Sequence, residues 1–190
     1  MLEVGCQHGP GGDRDPGLTE AETRSHFGAW CIVSSPLTLS HDVTNETVMD
    51  AVWPVISNKD AIAINQAWHG HSGTRFAKAS ETVVLGPIDY ARLEPGVSES
   101  DVGPATTPAW QYLSKPINDT HVAVLLMNGG ADAVDLKLTF GDVPGLSADK
   151  CRVYDVWARA AVGDFSATYT ASGVASHDAA FLIVSAADGA

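Results

Sequence analysis

Eleven lysines and arginines stand against 23 acidic residues in a chain of 190, a net charge of −12 with histidine neutral. Such a field repels phosphate backbones and anionic headgroups, which excludes nucleic acid and the membrane surface as partners. Cysteine is scarce: Cys6, Cys31 and Cys151 are odd in number and at no metal-ligand spacing. They specify neither a disulfide framework nor a zinc site, and leave room for one disulfide at most. Long apolar runs are missing too. The plainest candidate, Val122–Met127, is strand-sized against the roughly 20 residues that span a bilayer. Met1-Leu2-Glu3-Val4-Gly5 has neither the basic start nor the apolar stretch of a signal peptide, so the chain as given is expected in the cytoplasm.

What is present is globular. Hydrophobic residues make up 45% and charged residues 18%, and a chain of this length buries about 70% of its unfolded surface, enough for a real core. One large or two small domains are expected.

The two halves differ in rhythm. Over residues 1–72, short apolar runs alternate with helical periodicity. Thr19 with Glu22 three positions on reads as a capping box. The helix it opens would bury Phe27, Trp30, Cys31 and Ser34 and stop at Ser35-Pro36. Leu37–Ser40 reads as a short strand, Thr47–Ile56 as a helix interrupted by Pro54, and Asn58 as the start of a third helix over Ala61–Ile64. From residue 73 to 190 the pattern is of strands: Val122–Met127, Asp135–Phe140, Arg152–Trp157 and Phe181–Ser185, parted by Gly and Asp clusters, read as an antiparallel β-sandwich. The Pro-punctuated tract 86–109 reads as a loop insertion.

Met1-Leu2-Glu3-Val4-Gly5, Leu18–Glu22, His26-Phe27, Trp30, Ser34–Leu37, Asp42 and Asn58–Gln66 together resemble the family 27 glycoside hydrolases, the α-galactosidase and α-N-acetylgalactosaminidase group. Lys115–Ile117, His121–Asn128 and Val153–Trp157 are similar to that family's C-terminal domain. The resemblance implies an α/β plus all-β architecture: residues 1–72 as the last strands and helices of a (β/α)8 TIM barrel, incomplete, and residues 73–190 as the sandwich. It implies a parent that hydrolyses terminal α-galactosides with retention, without a cofactor, in a secreted, lysosomal or vacuolar setting. It places the nucleophile and acid/base Asp upstream of Met1, and leaves Met1 as the one matching sugar-lining residue. No catalytic residue is therefore expected in this chain, which should be inactive alone.

Physical counting points the same way. A barrel of this kind needs eight strands and about 250 residues, and the first half supplies about two strands. Retaining hydrolysis needs two carboxyl groups about 5 to 5.5 Å apart. Near the barrel-like segments stand only Glu3, Asp13, Asp15 and Asp42, and Asp42, just past a strand end where barrels put function, reads as a cap or turn residue before the next helix in preference to a catalytic one. The alternative reading is a non-catalytic β-sandwich module that binds carbohydrate or protein.

Other features read blandly. His69-Gly70-His71 and Cys6-Gln7-His8 lack the third and fourth ligands a metal needs, so no metal is expected. Gly9-Pro10-Gly11-Gly12 lacks the Lys-Ser/Thr pair of a phosphate loop. Trp30, Trp157 and Trp110 read as core. Asn45-Glu46-Thr47 and Asn118-Asp119-Thr120 match the glycosylation acceptor pattern, which bears on Asn45 and Asn118 if the chain is secreted.

Overall fold

A computed structural model describes residues 1–7, 17–85 and 105–187. Three helices precede ten strands: α1 (Glu20–Ile32), α2 (Glu46–Ile56) and α3 (Lys59–Gln66), then β1 (Thr74–Lys78), β2 (Thr82–Val84), β3 (Thr106–Pro108), β4 (Trp110–Pro116), β5 (His121–Asn128), β6 (Val134–Thr139), β7 (Lys150–Asp155), β8 (Ala160–Ser166), β9 (Thr168–Val174) and β10 (Ala179–Ala186).

The capping box opens α1 where the sequence places it. The Glu22 amide donates to the Thr19 hydroxyl at 3.2 Å, and the Thr19 amide donates back to the Glu22 carboxylate at 2.8 Å. Phe27 and Cys31 are buried as expected, but Ser34 is not on the helix. The chain turns left-handed there, at φ 58°. The Ser35 amide then reaches the Trp30 carbonyl at 3.1 Å and the Ser34 amide reaches Cys31 at 3.4 Å. That paired closure is a Schellman motif, one usually marked by glycine, and it ends α1 before Ser35-Pro36 can.

Pro54 does not interrupt α2. It sits in the last turn, where its missing N–H removes a single intrahelical bond. Asn58 caps α3 by accepting from the Asp60 and Ala61 amides at 3.0 and 3.1 Å. Its Nδ2 donates to the Val156 carbonyl at 2.8 Å, tethering the helix to the sheet.

The expected antiparallel β-sandwich is present. Six strands run in the order β1-β4-β5-β10-β7-β8, every pair antiparallel, with β6-β9 and β2-β3 as separate two-stranded ribbons. Side chains alternate across a strand, and in β5 both faces are buried. Val122, Val124 and Leu126 face a core shared with Leu136, Leu138 and Phe140 of the β6 side. Ala123 and Leu125 face a second core with Phe27, Cys31, Ile32, Val52, Val55 and Ile64 of the helices, together with Phe181. Burial on both faces explains why Val122–Met127 reads as an unbroken apolar run.

Three further expectations shift. The strand at Leu37–Ser40 is reduced to one parallel bridge, Leu39 to Leu2, because no third segment among the described residues extends the ladder. The tract 86–109 ends in β3, which pairs with β2, and residues 86–104 lie outside the described residues. All three cysteines are free, with Cys31 and Cys151 buried, so the one disulfide that the count allowed is not formed.

Candidate functional site

Leu2 and Leu39 are bridged in parallel, with the Leu2 amide donating to the Thr38 carbonyl at 2.9 Å. Helix α1 joins the two segments, which gives a β-α-β order. Parallel neighbours need such a crossover, whereas every pair of the sandwich is antiparallel. Because the two segments run the same way, their C-terminal ends lie together. A cleft of about 310 Å³ opens there, lined by Gly5, Cys6, Gln7, Ser40, His41, Asp42, Asn45 and Val48.

The cleft is built by hydrogen bonds from its own walls. Ser40 Oγ donates to the Leu2 carbonyl, and Cys6 Sγ lies 3.3 Å from Ser40 Oγ. His41 Nδ1 is 2.7 Å from the Val4 carbonyl; a carbonyl only accepts, so Nδ1 carries the hydrogen. His41 Nε2 faces the Met49 sulfur at 3.2 Å. Gly5, at φ 76°, lets the chain pass close to the imidazole, since a Cβ there would stand 2.7 Å from His41 Nδ1.

Asp42 Oδ1 accepts from the Thr44 hydroxyl at 2.7 Å and the Thr44 amide at 2.9 Å. These bonds, the hydroxyl's first, hold its carboxyl below the ordinary 3.8. A general acid needs the opposite shift. Asp42 is thus an ionised turn residue, and Asn45 is the residue that caps α2, accepting from the Val48 amide at 3.3 Å. Among the described lining residues Asp42 is the one carboxylate.

A second, apolar groove of about 420 Å³ lies beside the same bridge, lined by Leu2, Phe27, Leu37, Leu39, Trp53, Ile56 and Ile62 with Ser57 and Gln66. Trp53 is 55% exposed on its rim.

The remaining candidates are scattered. Met1 is 79% exposed, ahead of the bridge, and is not among the cleft-lining residues. The Glu3 amide donates to His26 Nε2 at 3.2 Å. His69 Nε2 lies 3.3 Å from Asp119, and among the described residues no three His, Cys, Asp or Glu converge on a metal position. Asn118 stands in the β4–β5 turn. Trp30 and Trp157 pack on the helix-side core and Trp110 on the other. His8, Gly9–Gly12, Asp13 and Asp15 lie outside the described residues.

Sequence reasoning passed over Ser40 and His41, although both directly follow the predicted strand, where the barrel rule that drew attention to Asp42 applies equally. It also passed over Lys115, whose side chain is buried in the helix-side core.

Comparison with known proteins adds the following. Residues 107–184 match the family described as the alpha galactosidase C-terminal beta sandwich domain. The chain is 26% identical over 185 residues to an alpha-galactosidase of Coffea arabica, covering 97% of this chain and 38% of that protein. It superposes on an α-galactosidase/melibiase-type structure from Bacteroides fragilis with a TM-score of 0.70 at 27% identity, covering 96% of this chain and 33% of that one. The α-galactosidase of Saccharomyces cerevisiae solved with raffinose shares the fold, with a TM-score of 0.66 at 19% identity, covering 96% of this chain and 45% of that one. The chain thus spans between a third and just under half of each of these proteins.

Proposed function

We propose that the chain is a C-terminal portion of an α-galactosidase of glycoside hydrolase family 27, a reading supported by its sandwich-domain match and its α-galactosidase relatives, with residues 1–72 as the closing segment of a (β/α)8 barrel and residues 73–190 as the sandwich behind it. The parent protein hydrolyses terminal α-galactosides with retention, through a covalent glycosyl-Asp intermediate and with no cofactor. It works in a secreted, lysosomal or vacuolar compartment. Both catalytic carboxylates belong to barrel strands outside this chain, and the chain alone does not turn over substrate.

The observation that carries this reading is the bridge between Leu2 and Leu39. Its parallel sense and intervening helix are those of a barrel unit, and the cleft sits at the C-terminal ends of its two segments, the face on which such barrels carry their chemistry. The apolar groove beside Leu2 and Leu39 supports the same reading. A barrel wall would cover its apolar lining, Leu37, Leu39, Trp53 and Ile62 among it. Asp42 cannot act alone, because retention needs a carboxyl pair with one member's pKa raised.

The test is turnover of a chromogenic aryl α-D-galactoside by the purified chain. No release of the phenol is expected at any pH from 4 to 8, taken as about the range in which a carboxyl pair works. Hydrolysis that co-purifies with the chain and is lost in Asp42→Asn would overturn the proposal.

A further inference from the structure

We propose that Asn118, and not Asn45, is an acceptor for N-linked oligosaccharide, with a polyisoprenyl pyrophosphate-linked sugar as the donor. Both residues head an Asn-x-Thr tripeptide, the acceptor pattern of that modification. The fold gives the two very different surroundings.

Asn118-Asp119-Thr120 forms the turn between β4 and β5, and all three residues are exposed. Asn118 Oδ1 accepts from the Thr120 amide at 2.9 Å, the Thr120 hydroxyl at 3.0 Å and the His121 amide at 2.9 Å. His121 Nδ1 lies 3.2 Å from the same oxygen and 2.8 Å from Thr120 Oγ1. Gathering donors on Oδ1 has two consequences. It turns Nδ2 away from the turn, where it makes no hydrogen bond among the described residues, and it draws electron density from the carboxamide, which makes its N–H more acidic.

In the transfer step Nδ2 attacks the anomeric carbon of the donor. The N–C bond forms as the C–O bond to pyrophosphate breaks, the lipid pyrophosphate leaves with the bonding pair, and Nδ2 surrenders one proton to a carboxylate of the transferase. An amide polarised through its oxygen by a threonine two residues on is prepared for that loss.

Asn45 is held for another purpose. Its Oδ1 accepts from Val48 as the cap of α2, and Thr47 lies inside that helix. Thr47 therefore does not turn back onto Asn45 as Thr120 does onto Asn118. Asn45 is also half-buried in the cleft wall with His41 and Asp42. Presenting it to a transferase requires unwinding the first turn of α2.

This inference is independent of the glycosidase reading. It is tested on the folded 190-residue chain with a single-subunit oligosaccharyltransferase, shown active on a generic acceptor peptide, and a polyisoprenyl pyrophosphate chitobiose donor. Sites are read by peptide mass mapping. Expected are an occupied Asn118 and a bare Asn45, with Thr120→Ala abolishing the modification while leaving the circular dichroism spectrum and melting curve of the chain unchanged. A bare Asn118, occupancy that survives Thr120→Ala, or equal occupancy of Asn45 overturns it.

Discussion

Lys115 donates from its buried ammonium to the Ile64 carbonyl at 2.5 Å and to the Asn65 carbonyl at 3.0 Å, closing the C-terminal end of α3 from inside the protein. Carbonyls at a helix end lack intrahelical donors and carry the negative pole of the helix dipole, so a cation placed there satisfies both needs. Lys115 comes from β4, in the central sheet, and the pair therefore fastens the helix layer to the sandwich.

Lys115→Met keeps most of the volume and removes the donors. The two carbonyls are left buried and unpaired, a loss of about 1 to 3 kcal/mol. Lys115→Ala adds a cavity and should cost more, on the order of 3 to 5 kcal/mol. Urea denaturation of the three proteins measures both, and a midpoint unchanged in Lys115→Ala would refute the fastening role.

The sandwich was legible because its central strands obey simple rules. Val122–Met127 and Phe181–Ser185 are strongly β-forming, and both fall inside the strands observed. Strands β1, β4, β8 and β9 were not legible. β4 interleaves Ser114 and Lys115 where a core pattern calls for apolar residues. β8 is largely exposed, β9 mixes exposed and buried positions without strict alternation, and they carry glycines at Gly163 and Gly173 with positive φ. At the cleft, Asp42 was read correctly as a turn residue because its partner Thr44 is local. Ser40 and His41 answer to Leu2 and Val4, some 37 to 38 positions away, and no local pattern announces such partners.

A pH dependence is expected at His26. Its Nε2 accepts the Glu3 amide proton, and its ring stacks on Trp30 with centroids 4.3 Å apart. Burial pushes its pKa below the ordinary 6.5, against the pull of the nearby Glu3 carboxylate. In the unfolded chain the imidazole takes a proton more readily, so stability is present in full above about pH 6.5 and declines as the pH falls through the folded-state value. Denaturation midpoints between pH 7.5 and 5 should fall for the native chain and fall less for His26→Phe, which keeps the stacking partner and removes the titration. Parallel curves for the two proteins would exclude the effect.

Gly73 marks the joint between helices and sheet. Its amide donates to the Ile32 carbonyl at 2.9 Å. A Cβ there would stand 2.6 Å from the Ile32 carbonyl oxygen and 2.7 Å from that of Ser114. Both obstacles are backbone and cannot rotate aside. Gly73→Ala should therefore destabilise by about 1 to 3 kcal/mol, the range for forcing extra atoms into a packed site. The same substitution at Gly141, where nothing lies within 4 Å, is the control, and thermal melts of the pair should separate clearly.

Thiol chemistry reports on whether the helix layer stays seated on the sheet. Cys31 is wholly buried in the helix-side core, and burial raises its pKa to about 12 although the Lys115 charge opposes the rise. Cys151, buried on the other side of the sheet, is raised as well, by burial first and by the Asp149 carboxylate second. Only the thiolate attacks a disulfide reagent, and it must also be reached. With the native chain at pH 8, an aromatic disulfide reagent should therefore titrate Cys6 promptly and Cys31 and Cys151 only on unfolding. Lys115→Met removes both the charge and a fastening, and these act oppositely on Cys31: losing the charge lowers its thiolate fraction, while loosening the layer exposes it. Faster labelling of Cys31 in that variant, with Cys151 unchanged, means that the helix layer opens separately from the sandwich. Labelling of both cysteines at one common rate means that the two layers unfold as a single unit.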